Sequence, residues 1–382
     1  MAGVKIAAAA SGGSAEIAGP PDSSANTVLK LPSDTGTAGK VLKVKSANHS
    51  LTNAELEWGT EGQGLSKLNL DGTTNSSKAA GDFWYQSSDG KFHFAGTAMG
   101  TWSTGGDNLV NRYLLTACGT LNAGLSLTGY THLSWKTTCE EYNGSAWSAI
   151  ATMSSGRYLP ASTGTTSAAF VCGGYTGSYV NTKEDYNGSS WSAGTAPSGN
   201  VGMGPSAFGT STAGAICGGR SASSTYLDET EEWDGSSWSS GGNIATGKYV
   251  HCTGGTLAAG IHMSGNDGST QLAECQEYNG TSWSTGGNLL TGRNGSSGGG
   301  VQNNFIISGG YGGGAYQTTS EIYDGTSWSA GPTRVYSVNE GAGGGTGASA
   351  FTTCGYQTGV GTFDKTEEYD VSIEGMLAVE SI

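Results

Sequence analysis

Short runs in which apolar and polar residues alternate recur along the chain from Trp102 onward. One period, taken from Trp147, reads W-S-A-I-A-T-M-S-S-G-R, then Y-L-P-A-S-T-G, then A-A-F-V-C-G-G-Y. After a loop of variable length it ends on T-K-E-D-Y-N-G-S-S-W. Alternation at period two, broken by Gly, Ser and Asn turns, predicts four short strands per unit, and no segment carries a helical period. The last piece is the most regular. E-E-Y-N-G-S-A-W-S, ending at Ser148, returns four times, and its tryptophans Trp147, Trp191, Trp238, Trp283 and Trp328 are spaced by 44, 47, 45 and 45 residues. Four strands in about 45 residues is the unit of a β-propeller.

The E-x-Y/W strands end at Tyr142, Tyr186, Trp233, Tyr278, Tyr323 and Tyr369, which predicts six blades. Five are followed by a W-S strand and the last is not, while an orphan W-S stands at Trp102, before the first blade. That orphan is expected to complete the last blade and close the ring, removing the open sheet edges. The expected fold is all-β: a six-bladed propeller over 96–382, preceded by an extended arm (1–60) and a hairpin connector (61–95).

Within each unit the Trp, Trp102 included, is expected to pack between neighbouring blades, and the N/D-G dipeptide before it to form a type I′ turn. Ten residues after the Trp stand Arg112, Arg157, Lys248 and Arg293, with Val201 breaking the series; these cations are expected to pair with strand acids such as Glu141 or Glu232. The G-G after an apolar strand (Gly173, Gly218, Gly309), the E-x-Y strand and the W-S strand resemble kelch repeats. The resemblance implies the architecture and not membership of the cellular kelch family.

The first 95 residues are a different material. M-A-G-V-K-I-A-A-A-A and the stretch through Pro20 and Pro21 are small and rich in Gly, Ala and Ser, and cannot bury enough apolar surface to fold alone. N-T-V-L-K-L-P, a turn, K-V-L-K-V-K and A-E-L-E-W follow, read as a marginal hairpin that needs partner chains. The pattern G-P-P-x-x-S-A-N-T-x-L-x-L-P, then G-x-V-L-K-V and L-x-W, resembles N-terminal segments of bacteriophage tail-fibre-like proteins. K-A-A-G-D-F-W-Y-Q-S-S-D-G-K-F-H-F-A, with Phe83, Tyr85, Phe92 and Phe94 at alternating positions, is similar to a hairpin of phage fibre and tail-associated proteins. The resemblance implies a virion appendage, assembled in the host cytoplasm and held to other virion proteins through residues 1–60. It also implies a homo-oligomer, commonly a trimer.

Composition narrows the chemistry. With 67 Gly, 13% charged residues and a net charge of -14, no basic patch is available for a phosphate backbone, so no nucleic-acid partner is expected. No run is long enough to span a bilayer as a helix, and the N-terminus lacks an apolar core of signal length, so neither membrane insertion nor signal-peptide export is expected. Of the seven cysteines, Cys172, Cys217 and Cys354 are read as one repeat position and Cys139 with Cys275 as another. Equivalent positions on neighbouring blades lie about 10 Å or more apart, so buried free thiols are expected rather than disulfides. His49, His93, His132, His251 and His262 show no ligand spacing, and no metal or cofactor is expected. Glu140/Glu141 and Glu231/Glu232 are strand neighbours pointing to opposite faces, unsuited to a joint acid–base role. D-G-S-S-W lacks the Asp–Gly separation of a sialidase box, and the arginines form no unique set. The Asn143, Asn187 and Asn279 sequons are read as turns. No catalytic residue is assigned, and the chain is expected not to be an enzyme.

Binding remains. The loops after the third piece of each unit vary in length and carry aromatics: Tyr130 and Trp135, Tyr175 and Tyr179, Tyr226, Tyr311 and Tyr316, and Tyr356. Rigid aromatics among Gly, Ser and Asn suit stacking on sugar rings. The expectation is a propeller that recognises a host-surface glycan or protein; the alternative is a structural decoration protein whose propeller docks on other virion proteins.

Overall fold

The computed structural model describes residues 100–199 and 201–371 fully, and outside them only paired strands. The chain divides into two compact units, Met1–Ala98 with Ser372–Ile382, and Met99–Val371. In the first, Lys40–Lys45 pairs antiparallel with Glu55–Thr60, setting Lys43 opposite Glu57 and Lys45 opposite Glu55. Leu29–Lys30 joins the same sheet parallel to Glu55, rather than forming a hairpin with Lys40–Lys45. Phe83–Gln86 and Lys91–Phe94 form the hairpin read from sequence, and Val379–Glu380 pairs with its second strand, so the propeller unit stops at Val371 and not at 382. The side chains of His49, Phe83, Tyr85, Phe92, His93 and Phe94, and any oligomerisation surface in residues 1–60, lie outside the described residues.

The second unit is a six-bladed kelch-like β-propeller without a helix among its described residues. Blade I comprises Thr116–Thr120, Ala123–Leu127, Cys139–Tyr142 and Trp147–Ile150, hydrogen-bonded in that order. Blades II to V repeat it, starting at Ala161, Ser206, Cys252 and Ser297. Blade VI takes Ala342–Thr346, Ser349–Gln357 and Gly361–Asp370 from the end of the unit and Thr101–Thr104 from its beginning, with Tyr369 opposite Trp102. The ring is closed as the orphan Trp-Ser pair predicts. The innermost strands are glycine-rich because they crowd the axis: a Cβ on Gly344 would lie 3.0 Å from the Gly119 carbonyl of the next blade.

Each repeat tryptophan reaches back to the preceding blade. Trp147 Nε1 donates to Thr366 Oγ1 (2.8 Å), Trp283 to Thr230 Oγ1 (2.9 Å), and Trp191 and Trp238 to the Ala151 and Thr195 carbonyls. Trp102 donates to Ser320 Oγ, and Trp328 joins the core cluster of Cys252, Met263 and Cys275 in blade IV. The turn before each tryptophan is not type I′. Only the glycine has positive φ (89° at Gly144), while Asn143 stays out of that region and its Oδ1 accepts from the Ser145 and Ala146 amides at 3.0 and 2.9 Å. A side-chain acceptor two residues upstream replaces the second left-handed residue.

The arginines do pair with strand acids, but with the first of each pair rather than Glu141 or Glu232. Lys248 pairs instead at 2.7 Å with Glu274, which precedes the strand Cys275–Tyr278, where Gln276 stands at the acid's position. Arg112 meets Glu140 at 2.7 Å, Arg157 meets Glu184 at 2.6 Å and Arg293 meets Glu321, all buried. Alternation turns Glu140 inward and Glu141 outward to the blade interface, where these second acids serve the next blade's tyrosine: Tyr323 Oη donates to Glu277 (2.7 Å), Tyr278 to Glu232 and Tyr142 to Glu368. The same inward carboxylates accept a backbone N–H from the loop entering their blade, Leu109 to Glu140 (2.7 Å), Ser154 to Glu184 (2.9 Å) and Leu290 to Glu321 (2.6 Å). Blade III is the exception. Its position equivalent to Arg157 is Gly202, not Val201, because the entering loop is one residue longer. Among the described residues, Glu231 there accepts from Ser198 and Gly199 and meets no cation. In blade VI, Val338 takes the position and Arg334 supplies the charge to Glu367 at 2.8 Å.

All seven cysteines are free and buried. Cys354 is not equivalent to Cys172 and Cys217: it sits one residue later, at the position of Gly173, with φ 58°. Burial pushes the thiols of Cys172, Cys217 and Cys252 up to about 12, which leaves them protonated and inert.

Candidate recognition face

Two closed series of backbone hydrogen bonds circle the axis. In the inner one, the amides of Leu159, Gly204, Val250, Gly295, Glu340 and Leu114 each donate to the carbonyl of the equivalent residue one blade back, at 2.7–3.1 Å. In the outer one, Gly129, Gly174, Gly219, Gly265, Gly310 and Gly355 donate across the interface at 2.7–2.9 Å, to Arg157, Gly202, Lys248, Arg293, Val338 and Arg112. These glycines all have φ between 86° and 116°, so the second glycine of the kelch-like pair is kept in every blade, where sequence reading finds a G-G in only three. The first glycine's positive φ also persists, carried by Thr128, Ser264 and Cys354 where glycine is missing.

This backbone fixes a collar of side chains on one face. The residue after each outer-series glycine bridges to the residue between the two series on the same blade: Tyr130 to Tyr113, Tyr175 to Tyr158, Arg220 to Met203, Asn266 to Tyr249, Tyr311 to Asn294, Tyr356 to Asn339. A third position adds Trp135, Tyr179, Tyr226 and Gln271 through further bridges, and Tyr316 through the hairpin Tyr311–Gly312/Ala315–Tyr316. The aromatics read from the loops are therefore brought together. Ring centroids run Tyr311–Tyr316 5.8 Å, Tyr316–Tyr356 6.2 Å, Tyr356–Tyr113 5.6 Å and Tyr113–Tyr130 5.7 Å. They continue Tyr130–Tyr158 5.8 Å, Tyr158–Tyr175 5.3 Å and Tyr175–Tyr179 5.4 Å, with Trp135 5.9 Å from Tyr175. Every tyrosine in the series is partly exposed and Trp135 is 40% exposed. Tyr226 stands apart, 5.6 Å from Tyr249, with the Arg220 guanidinium 5.8 Å over its ring.

Tyr113, Tyr158 and Tyr249 belong to the collar and are missed by the loop reading. Their signal is the repeated dipeptide Arg112-Tyr113, Arg157-Tyr158 and Lys248-Tyr249, in which the cation turns inward and the tyrosine outward. His132 is exposed, with its ring 4.8 Å from Tyr113 and Nδ1 3.3 Å from the Tyr113 hydroxyl. Glu340 is also missed. It is the one acid in an inner series otherwise made of Leu114, Leu159, Gly204, Val250 and Gly295, and burial pushes its carboxyl up to about 7. At the axis lies a cavity of about 120 Å³, lined by the innermost strands and by the inner series itself, Glu340 included. Ligand pockets run to about 300–1,000 Å³, so the collar and not the axial cavity offers area for a ligand.

His251 and His262 lie within blade IV away from the collar. His262 Nε2 meets Gln276 Oε1 at 3.1 Å and His251 Nε2 lies 3.6 Å from Cys217 Sγ. Burial, aided by Lys248, lowers His251 to about 3 and His262 well below the usual histidine range. Among the described residues no group of three or more His, Cys, Asp or Glu side chains is placed to hold a metal ion.

Among solved structures, one described as "Structure of YjhT" is similar to this chain, with a TM-score of 0.59 at 14% identity over 72% of this chain and 99% of that one. Likeness at that identity shows the propeller fold alone. No family model matches the chain, and no curated protein matches it.

Proposed function

We propose that the protein is a non-enzymatic virion appendage of the tail-fibre or capsid-fibre type, whose propeller recognises a glycan on the host surface through the tyrosine collar. The observation that carries the recognition reading is the unbroken series from Tyr311 to Tyr179. Eight tyrosine rings, each partly exposed and held by backbone bridges, offer flat faces that stack on sugar rings with little loss of side-chain freedom. Aromatics used to fill a core are enclosed, as Tyr142, Tyr278 and Tyr323 are between the blades. The virion reading is supported by the resemblance of about the first 95 residues to phage fibre segments, which also carries the anchoring role of residues 1–60 and the trimeric state.

The test is binding of the full chain to immobilised bacterial surface polysaccharides, with Tyr175→Ala, Tyr316→Ala and Tyr356→Ala made separately and together. Saturable binding is expected, falling about tenfold per substitution, as loss of one stacked ring implies, with the melting temperature unmoved. Equal binding by the triple variant would remove the collar from recognition and favour a docking role on other virion proteins. Release of sugar fragments during the assay would make the protein an enzyme.

A further inference from the structure

Three Asn-Gly pairs of the repeat are so far without a role. Asn143-Gly144, Asn187-Gly188 and Asn279-Gly280 form the turn between the third and fourth strands of blades I, II and IV. That turn lies at the end of each blade opposite the collar loops, which join the second and third strands. In an Asn-Gly pair the side-chain carboxamide is open to attack by the following backbone nitrogen, because glycine brings no Cβ to shield it. The chain holds a fourth such pair, Asn294-Gly295. The fold treats the four differently.

In the three turns the carboxamide oxygen accepts two backbone N–H bonds. Ser145 and Ala146 donate to Asn143 at 3.0 and 2.9 Å, and Ser189 and Ser190 to Asn187 at 3.0 and 2.9 Å. Thr281 and Ser282 donate to Asn279, again at 3.0 and 2.9 Å. Cγ and the glycine nitrogen are members of the small ring that the first bond closes, so the side chain is held folded over the nitrogen that attacks it. The same two donors face the oxygen on which negative charge develops as that nitrogen bonds to Cγ. All three asparagines are exposed to water, and among the described residues the amides of Gly144, Gly188 and Gly280 donate to no protein acceptor. Asn294 has none of this. The Gly295 amide is committed to the Val250 carbonyl at 3.1 Å, the Asn294 backbone is paired in both directions with Tyr311, and Asn294 Oδ1 is buried without a donor.

We propose that Asn143, Asn187 and Asn279 are sites of intramolecular deamidation in the folded protein, and that Asn294 is not. The glycine nitrogen, its proton taken by hydroxide, bonds to Cγ. The carboxamide C–N bond breaks, ammonia leaves, and a five-membered succinimide closes. Water then opens the ring. Addition at Cγ breaks its bond to the glycine nitrogen and gives aspartate on the original main chain; addition at the main-chain carbonyl gives isoaspartate. Each site consumes one water and releases one ammonia. Blades III and V carry at this position the residue that the first opening produces. Asp234 accepts from the Ser236 and Ser237 amides at 2.8 and 2.7 Å, and Asp324 from the Thr326 and Ser327 amides, both at 2.8 Å. Their second oxygens take the Ser237 and Ser327 hydroxyls at 2.9 and 3.2 Å. These donors, the Ser237 and Ser327 amides foremost, hold both carboxyls below the usual carboxylate range. The same turn therefore accepts an ionised carboxylate, and full conversion takes the formal net charge from -14 to -17, one unit per site.

The test is peptide mapping by mass spectrometry of the full-length protein incubated in mildly alkaline buffer, once folded and once in urea. In the folded protein the peptides holding Asn143, Asn187 and Asn279 are each expected to gain one mass unit at similar rates. The peptide holding Asn294 is expected to convert about tenfold or more slowly, because local opening must first free its glycine amide. In urea all four pairs share one local chemistry and are expected to convert at comparable rates. If Asn294 keeps pace in the folded protein, the discrimination among the four is overturned. If the three turn sites stay intact while the urea sample converts, the turn protects its carboxamide and the proposal falls. Asn143→Asp, Asn187→Asp and Asn279→Asp made together are expected to leave the melting temperature at or above that of wild type, since a carboxylate accepts the same N–H bonds more strongly. A lower melting temperature overturns aspartate as a product that these turns accept. The collar takes no part in this chemistry, so the outcome is independent of the recognition reading.

Discussion

The hydrogen-bonded rings around the axis and the collar resting on them are built from adjacent residues, yet they follow opposite rules. In the rings the backbone does the same thing six times: Leu159 and Gly204 make the same bond although they share no side-chain chemistry, and Thr128 and Gly173 share a φ that only glycine adopts cheaply. One residue further along, the backbone bridges recur but the side chains change from Tyr113 to Met203 to Asn339. What repeats holds the ring closed. What departs from the repeat decides what the face can touch. Blade III makes the contrast internal to the scaffold, because it lacks the buried cation that blades I, II, IV, V and VI place against an acid.

The largest expected effect breaks the scaffold side of this comparison. Glu184→Ala leaves Arg157 buried without its charge partner and the Ser154 amide without its acceptor. Removing one member of a buried pair costs about 3–5 kcal/mol. Glu231→Ala in blade III removes, among the described residues, hydrogen bonds from Ser198 and Gly199 and is expected to cost about 1–3 kcal/mol. Urea unfolding of the two variants gives the ranking, and equal losses would show that the cations contribute nothing beyond the acid's backbone contacts. Both variants should still bind whatever the wild type binds.

Blade number, strand order, ring closure and the interblade seat of the tryptophans were legible because each is local and recurs at a fixed spacing. The failures share a cause: they needed a register, or a side-chain direction, that spacing alone does not supply. A one-residue-longer loop moved the blade III position from Val201 to Gly202, and the missing first glycine of blade VI moved Cys354 out of line with Cys172. Strand alternation said that Glu140 and Glu141 face apart, but not which one faces the arginine. The loop aromatics of the collar were legible as a composition. Tyr113, Tyr158 and Tyr249 were not, since they sit at the inner ends of the entering loops, and only the Arg-Tyr and Lys-Tyr dipeptides mark them. Nothing local marks Glu340; its meaning comes from the ring it joins.

A smaller effect is expected from acid. His251 and His262 are buried neutral, with folded values below the ordinary 6.5, His251 at about 3. The unfolded chain therefore binds the extra protons, so stability is full above about pH 6.5 and is lost as pH falls toward 3. Between pH 7 and 5 this amounts to about 2 kcal/mol for His251, and His262 acts in the same direction. Glu340 acts in the opposite sense, its stabilisation present below the ordinary carboxyl range and lost as pH rises toward 7, so the measurement belongs in a Glu340→Gln background. In that background, His262→Leu should flatten the stability profile over pH 5–7. An unchanged slope would mean that the ring takes up its proton inside the fold.

The smallest effect tests whether the rings are a matter of backbone alone. Thr128 has φ 60° at a position that is Gly173, Gly218 and Gly309 in other blades, and its buried hydroxyl has no hydrogen-bond partner. Thr128→Gly should relieve about 1–2 kcal/mol of left-handed strain and remove an unsatisfied hydroxyl. Against this stand about 0.5–1 kcal/mol of glycine chain entropy and about 0.8 kcal/mol for the lost methyl. The net is a gain of about 1 kcal/mol, read as a rise in melting temperature. Ser264→Gly shares the backbone strain, but Ser264 Oγ is bonded to Ser296 Oγ at 3.1 Å, so its gain should be smaller and close to zero. If Thr128→Gly destabilises the protein instead, the side chain holds the ring there, and the division between a backbone scaffold and a side-chain collar fails at the blade where the collar is most aromatic.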